Sequence, residues 1–218
     1  MTAGHALTVT AADRAAHLEA ARAAGAAGIG LRGGGRDYCR ALSDVTDGWV
    51  RQLFAQAVET NPELKGRLAI LAVGGYGRGE LAPYSDLDVL LVHDVKGKKA
   101  MAAIEPIASA LWYPMWDAGI KLGHAVRSVK EAMTLAADDL DSATALLTAR
   151  GLAGDESLAS EVMARGSASW GMHADRFLGG LRSRVRERQN QSGDVAYRLE
   201  PDLKSGHGGL RDVQSLIW

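Results

Sequence analysis

Two short apolar runs separated by a glycine-rich stretch constrain the fold of this chain more than any other feature. Residues 68–73 (LAILAV) and 87–93 (LDVLLVH) are too short for buried helices and are bounded by glycine and polar residues. Such runs are typical of strands that are buried on both faces of a sheet. We therefore predict that both runs form strands, and that Gly74 and Gly75 form a turn directly after the first one.

Helical patterns surround these two strands. Apolar side chains recur every three to four positions over residues 37–60 and form one stripe over residues 98–117. Residues 120–127 (IKLGHAVR) predict a third strand, and residues 128–190 predict helix in three or four pieces. The sequence thus predicts an α+β fold, in which a small mixed sheet with packed helices is followed by a helical region.

Composition narrows the class of protein. The chain has 218 residues, of which 47% are hydrophobic, and its net charge is −1, so no basic excess favours a nucleic acid as partner. Its one cysteine, Cys39, excludes an internal disulfide and a cysteine-based zinc cage. The sequence has neither an apolar run of about 20 residues nor a secretory signal, so we expect a cytoplasmic protein without a membrane partner.

Two acids, Asp86 and Asp88, stand at the start of the second strand. Residues i and i+2 of a strand lie on the same face, about 7 Å apart, so both carboxylates are expected to project together. A cation between them relieves their repulsion, and hard ions such as Mg²⁺ bind carboxylate oxygens while keeping positions open for substrate phosphates. The pair therefore predicts a metal-dependent phosphoryl-transfer site.

The residues around the two acids suit a triphosphate. Gly74 and Gly75 let backbone N–H groups approach phosphate oxygens closely. Arg78 can bind a phosphate or a carboxylate, and Ser85 can donate to a phosphate oxygen. The stretch does not match the G-x-G-x-x-G dinucleotide fingerprint, because its third glycine is misplaced, and the P-loop pattern is absent.

A longer string, GGYGRGELAPYSDLDVLLV, carries a resemblance to a known family. Its glycine pair and its Asp-Leu-Asp resemble the signature of the DNA polymerase β-like nucleotidyltransferase superfamily. Together with residues 116–132, 144–155 and 197–218, it is similar to the N-terminal catalytic domain of bacterial PII uridylyltransferases, the bifunctional uridylyltransferase/uridylyl-removing enzymes of nitrogen signalling. The similarity extends from about residue 37 onward.

The resemblance implies an activity, its ligands and a partner. Such enzymes transfer UMP from UTP to a tyrosine of the trimeric PII signalling protein and release pyrophosphate. Asp86 and Asp88 would be the catalytic residues that bind Mg²⁺ or Mn²⁺. The residues that hold the nucleotide would be Gly74, Gly75, Arg78 and Ser85.

A second glycine-rich stretch, PDLKSGHGGLRD, offers Lys204, His207 and Arg211. Its glycines and proline are typical of a loop before a helix, but the same backbone can also bring basic side chains to a phosphate or a base. The family resemblance favours the second interpretation, and we assign Lys204 to nucleotide binding.

One position departs from what the resemblance implies. Members of the superfamily carry a third metal-binding acid on another strand, and in this family an acid often precedes the Ala-Arg of TALLTAR, where this chain has Thr148. The predicted third strand offers His124 but no carboxylate. The acids that could substitute for the missing one are Asp138, Asp141, Glu200 and Asp202.

We divide the chain into three parts. Residues 1–36 are an N-terminal extension, helical or disordered; residues 37–135 are the nucleotidyltransferase core; residues 136–218 are an associated helical region that ends inside a predicted helix. Family members continue into a metal-dependent phosphohydrolase (HD) domain and two ACT domains, to which this sequence has no counterpart. We therefore expect a part of a longer enzyme and assign it neither uridylyl removal nor glutamine sensing.

Two alternatives stay open on the sequence alone. The motif does not choose the base, so adenylyl transfer to a protein is one alternative. A non-catalytic nucleotide-binding regulatory module, folded in the same way but lacking a full set of metal ligands, is the other.

Overall fold

The computed structural model describes residue 19, residues 34–192 and residues 199–218. The predicted extension over residues 1–36 therefore lies outside the described residues, apart from residue 19 and the start of the first helix. The helices are α1 (Gly34–Glu59), α2 (Gly74–Gly77), α3 (Lys98–Ala102), α4 (Ile104–Asp117), α5 (Val129–Asp138), α6 (Leu140–Leu147), α7 (Glu156–Met172), α8 (Ala174–Ser192) and α9 (Leu210–Ile217). The strands are β1 (Leu68–Ala72), β2 (Leu87–His93), β3 (Leu122–Ser128) and β4 (Arg150–Gly154).

The four strands form one mixed sheet in the order β3-β2-β1-β4. The central strand β1 is antiparallel to both β2 and β4, whereas β2 and β3 are parallel. This arrangement confirms the predicted α+β fold with a small mixed sheet and packed helices. Within residues 34–192 and 199–218, no helix is long and apolar enough to cross a membrane.

The alternation of side chains along the strands gives the sheet a buried face on each side. On β1, Leu68 and Ile70 pack into a core with α1 and α4, whereas Ala69 and Leu71 pack into a second core with α5, α6 and α7. Strand β2 alternates in the same way, and Asp88 therefore lies on the face of the second core. The side chain of Asp88, the only acid of β2, thus projects from the end of that buried face.

Two sequence predictions about the elements are wrong. Residues 150–154 (RGLAG) form β4, although the sequence predicted only a break between helices there. Two glycines in five residues and the lack of alternation hide this strand, because its stability comes from pairing with β1, which is distant in sequence. The single helix predicted over residues 98–117 is interrupted at Ala103, which separates α3 from α4.

The sheet draws on both predicted parts of the chain. Strands β1 to β3 come from residues 37–135, and β4 comes from residues 136–218. The division at residue 135 stays a prediction.

The end of β4 offers a test of its place in the sheet. Gly154 has a φ of +99°, and a Cβ there would lie 2.2 Å from the carbonyl oxygen of Leu68. We predict that Gly154→Ala lowers the free energy of unfolding by about 2 kcal/mol or more, because strain and overlap add. Gly179→Ala, in open space on α8, should raise it by up to about 1 kcal/mol. Urea unfolding measures both, and equal effects would contradict the placement of β4.

Candidate functional site

Backbone hydrogen bonds fix the two predicted acids at the start of β2. Asp86 is exposed and directly precedes β2, and Asp88 is the half-buried second residue of that strand. The N–H of Val73, at the end of β1, donates to the carbonyl of Asp88 at 3.0 Å, and the N–H of Leu87 donates to the carbonyl of Lys121 at 2.8 Å. The chain on both sides of β2 therefore fixes the backbone of the acidic pair.

The electrostatics of Asp88 favour a bound cation. Burial, and then the negative charge of Asp86, raise the pKa of Asp88, while the positive charge of Lys204 acts in the opposite direction. Over the described ranges, neither carboxylate takes part in a hydrogen bond or a salt bridge. Two close acids without protein donors have their oxygens available to a metal ion.

Two glycines leave the space around the Asp88 carboxylate. A Cβ on Gly74, whose φ is +62°, would lie 3.0 Å from Oδ2 of Asp88. A Cβ on Gly123, which pairs with Asp88 across β2 and β3, would lie only 2.1 Å from Oδ1. No side chain other than hydrogen fits at position 123 while Asp88 keeps this position, so the pocket around its oxygens depends on both glycines. The two glycines therefore make room for the Asp88 carboxylate itself, and the two acids supply oxygen ligands of the kind that a divalent cation binds.

The short helix α2, residues Gly74–Gly77, is called the glycine turn below. The N–H of Gly74 donates to Oγ1 of Thr148 at 3.1 Å, so this donor is already satisfied by the protein. The N–H of Gly75 has no acceptor in the part of the chain that the structure describes. Of the two glycines predicted to meet a phosphate, Gly75 thus has a free backbone donor.

Arg78 and Ser85 stand in different surroundings. Nε of Arg78 donates to Glu80 at 2.8 Å, and a terminal nitrogen of Arg78 lies 3.8 Å from the place of a Cβ on Gly75. The hydroxyl of Ser85 donates to the carbonyl of Ala82 at 3.0 Å and accepts its N–H at 3.2 Å. The structure thus places Arg78 against the glycine turn, whereas the Ser85 hydroxyl closes its own exposed turn before the acids.

Lys204 reaches the site from a distant loop. A carboxylate oxygen of Asp202 accepts the N–H groups of Lys204 and Ser205, at 2.9 and 2.8 Å. Asp212 binds the N–H of Gly208 at 2.8 Å and pairs with Arg188, so it ties the same loop to α8. The exposed ammonium of Lys204 is close enough to lower the pKa of Asp88, and its role in nucleotide binding stays a prediction.

The third acid is missing from the described residues. They contain no group of three or more His, Cys, Asp or Glu side chains that could hold a metal ion. Asp138 lies 3.7 Å from Arg176, and Asp141 pairs with Arg184. The ring of His124 lies 5.3 Å from the rings of both Trp112 and Trp116, tilted to the first and edge-on to the second, so it is a packing residue.

Sequence reasoning missed what two residues contribute to the site. Gly123 interrupts a strand pattern, and an isolated glycine in a strand can signal a close approach of another group. From the sequence Thr148 is only a departure from the family pattern, whereas in the structure its hydroxyl accepts the N–H of Gly74 in the glycine turn. No signal in the sequence shows this contact, because it joins segments far apart in the chain.

A cleft of about 460 Å³ borders the glycine turn. Its walls come from the glycine turn, from the connection between α6 and β4, and from the end of α9. Asp86, Asp88 and Lys204 are not among the residues that line it.

Two families match different parts of the chain. Residues 33–133 match the DUF294 nucleotidyltransferase family, and residues 176–218 match the GlnD PII-uridylyltransferase family. The first range contains the acidic pair and the glycine turn, and the second contains Lys204. The matches confirm the nucleotidyltransferase resemblance predicted from the sequence.

Curated relatives extend the similarity over most of the chain. The chain is 46% identical to a protein of Streptomyces coelicolor over 177 residues, which are 81% of the chain. It is 45% identical to a protein of Mycobacterium tuberculosis over 173 residues, or 79% of the chain. A Bradyrhizobium relative is 39% identical over 210 residues, or 93% of the chain. Each is named a bifunctional uridylyltransferase/uridylyl-removing enzyme. The chain spans only about a fifth of their length, 20 to 22%.

The space at Gly123 leads to a testable consequence. We predict that Gly123→Ala displaces the Asp88 carboxylate and reduces metal-dependent nucleotide binding or turnover about 100-fold, because displacements near 1 Å have that effect in other sites. Gly151→Ala on β4 meets only an ordinary contact of 3.5 Å and should stay within twofold. Calorimetric titration with Mg²⁺ and UTP measures both, and a tolerant Gly123 would contradict the site.

The raised pKa of Asp88 predicts how metal-free stability depends on pH. The folded chain holds this proton more tightly than the unfolded chain, so ionisation of Asp88 costs stability as the pH rises above about 4. At pH 7 and without metal, Asp88→Asn should therefore melt at a higher temperature than the natural chain. The difference should vanish below about pH 4, where the acid is protonated in both states.

Magnesium should reverse that order. The natural chain should gain about 2.7 kcal/mol of stability at a Mg²⁺ concentration of 100 times its dissociation constant, and Asp88→Asn should gain little. Differential scanning calorimetry with Mg²⁺ or a chelator measures this. Equal stabilisation of both proteins would show that Asp88 is not a ligand.

Proposed function

We propose that this chain is a metal-dependent nucleotidyltransferase domain that moves UMP from UTP to a tyrosine of a PII signalling protein and releases pyrophosphate. The observation that carries the proposal is the Asp86–Asp88 pair, which lacks protein donors within the described residues and whose Asp88 carboxylate lies directly against Gly74 and Gly123. The named activity of the relatives supports UTP as donor and PII as acceptor. Nucleoside triphosphates are cytoplasmic substrates, so the proposal places the reaction in the cytoplasm.

The two acids hold the metal in this proposal. A bound Mg²⁺ or Mn²⁺ would polarise the α-phosphate, favour ionisation of the attacking hydroxyl and neutralise the leaving pyrophosphate. Asp86 is exposed and Asp88 half-buried, so one carboxylate faces solvent and incoming substrate while the other faces the pocket. Two carboxylates are enough for Mg²⁺, which completes its octahedron with water and substrate phosphates.

Three donors bind the triphosphate. The free N–H of Gly75 approaches a phosphate oxygen, and the guanidinium of Arg78 beside it binds a second one. Lys204 supplies a further positive charge near the Asp88 carboxylate. Ser85 closes the turn before the acids and stays a proposed contact of the triphosphate.

In this proposal UMP passes directly from UTP to the acceptor tyrosine, without a covalent enzyme intermediate. The phenolic oxygen of the acceptor tyrosine attacks the α-phosphorus of UTP, and a new P–O bond forms. The bond from that phosphorus to the bridging oxygen breaks, pyrophosphate leaves with its electrons, and the phenolic proton passes to solvent. A free tyrosine has a pKa near 10, so its attack depends on a nearby positive charge.

A second candidate function rests on one observation. The described residues provide two acids and no third, with Thr148 beside the glycine turn. A domain of this kind could bind a nucleotide and regulate without turnover. Adenylyl transfer to a protein stays an alternative within the enzyme class, because the contacts above are all to phosphates.

The intact mass of PII tests the proposal. We predict that the chain with Mg²⁺, UTP and trimeric PII adds one UMP to each PII chain. Asp86→Asn should lower the rate more than ~100-fold, because removal of a direct metal ligand costs more than removal of a residue that only supports such a ligand. Asp94→Asn, an exposed acid paired with Arg67 after the same strand, is the matched control and should stay within twofold.

Three outcomes separate the candidates. An AMP adduct from ATP in place of the UMP adduct would establish the adenylyltransferase. Nucleotide binding without any adduct, insensitive to Asp86→Asn and Asp88→Asn, would establish the binding module. An adduct that persists in both variants would contradict the role of the acids.

Lys204 gives a prediction for the nucleotide site itself. Lys204→Gln removes a charge next to the proposed triphosphate and should raise the KM for UTP about tenfold with a smaller change in kcat, since a charged hydrogen bond contributes about 1.5 kcal/mol or more. Lys65→Gln, at another exposed lysine, should leave both constants unchanged. Steady-state kinetics over a range of UTP concentrations would show an unaltered KM if Lys204 does not meet the phosphates.

A further inference from the structure

Arg150, the first residue of β4, binds the end of the glycine turn. Its Nε donates to the carbonyl of Gly77 and its Nη2 to the carbonyl of Tyr76, both at 3.2 Å. Its guanidinium also lies 5.6 Å from the centre of the buried Tyr76 ring. The carbonyl of Tyr76 also accepts the N–H of Gly79 at 3.0 Å, so Arg150 adds a second donor there, and its Nε supplies a donor to the carbonyl of Gly77 at the end of the turn.

Asp47 of α1 holds Arg150 in place. Two guanidinium nitrogens of Arg150 donate to the two carboxylate oxygens of Asp47, at 2.5 and 3.0 Å. The Asp47 side chain is only 4% exposed, and Arg150 binds both of its carboxylate oxygens. A planar fork bound to a buried carboxylate has a fixed orientation, and Arg150 therefore presents its remaining donors to the glycine turn in one geometry.

The same segment of chain holds the other end of the glycine turn. Oγ1 of Thr148 accepts the N–H of Gly74 at 3.1 Å, and the carbonyl oxygen of Thr148 lies 2.1 Å from the place of a Cβ on Gly77. Residues 148–150 therefore contact the glycine turn at its first residue and at its last two. The glycine turn itself lies next to Asp88, because a Cβ on Gly74 would lie 3.0 Å from Oδ2 of that acid.

We propose that Arg150, oriented by Asp47, is a positioning residue that fixes the glycine turn beside Asp88 and so sets the affinity of the site for a metal-bound nucleoside triphosphate. This inference rests on the proposed function and deepens it. Arg150 uses four of its donor contacts on Asp47 and on the turn, so it acts on the substrate through the backbone of the turn. Thr148 supports the same geometry from the other end.

Arg51 provides the matched control. It also donates to Asp47, at 3.2 Å, and to the carbonyl of Leu152 at 2.9 Å, but in the described chain it makes no hydrogen bond to the glycine turn. A lysine keeps the charge at either position but cannot bind Asp47 and two carbonyls together. Arg150→Lys and Arg51→Lys therefore differ in whether the turn is held.

The first readout is amide hydrogen exchange of the metal-free chain, measured by NMR. The N–H of Gly77 bonds to Val73 and that of Arg78 to Gly74, so both report on the turn. We expect exchange at these two amides to become about tenfold faster in Arg150→Lys and to stay unchanged in Arg51→Lys. Unchanged exchange in Arg150→Lys, with its melting temperature unchanged, would overturn the inference.

The second readout is nucleotide affinity and turnover. Arg150→Lys should raise the Kd and KM for Mg²⁺-UTP about tenfold with kcat changed less than twofold, and Arg51→Lys should change neither. An equal loss in both variants would point to general stability and overturn the positioning role. A natural chain that binds no nucleotide would refute the proposed function instead, and the exchange comparison would still decide whether Arg150 fixes the turn.

Thr148 keeps the inference testable if Arg150→Lys does not fold. Thr148→Val preserves the shape of the side chain but removes the acceptor of the Gly74 N–H, and Thr148→Ser retains that acceptor. We expect Thr148→Val to speed exchange at Gly74 and weaken nucleotide binding severalfold, and Thr148→Ser to restore both. Equal behaviour of the two variants would contradict the role of residues 148–150.

Discussion

The two-residue period of β2 is the constraint on which the site depends. Leu87, Val89 and Leu91 are buried in one core, whereas Leu90 and Val92 are buried in the other. This double burial fixes the register of the strand, since a shift of one residue would exchange its two faces. Asp88 is consequently held at the end of the second face, where its charge is costly without a cation.

The sequence predicted the centre of this arrangement well, because its signals are local. Both apolar runs became strands with nearly the expected bounds, and Asp86 and Asp88 stand at the start of the second one. Residues 150–154 were missed because pairing with β1, rather than local propensity, makes them a strand. Thr148 and Arg150 are more than 70 positions from the glycine-turn residues that they contact. No periodicity in the sequence reveals contacts over such a separation.

The proposed site distributes its functions over three segments of the chain. The strand end carries the acids, the glycine turn carries a free backbone donor with Arg78 beside it, and the loop before α9 carries Lys204. Asp202 and Asp212 hold that loop by hydrogen bonds to its backbone, so the charge of Lys204 has a defined place. A two-acid site of this kind relies on phosphates to complete the coordination of the metal, which links metal binding to nucleotide binding.

Paramagnetic NMR tests most directly whether metal binding at Asp88 is linked to nucleotide binding. Mn²⁺ broadens the signals of nearby amides, so the chain is titrated with Mn²⁺ in the presence and absence of UTP. We predict that the amides of Gly75, Asp88 and Gly123 broaden first, that UTP strengthens the effect, and that Asp88→Asn abolishes it. Broadening that avoids these amides, or that persists unchanged in Asp88→Asn, would contradict it.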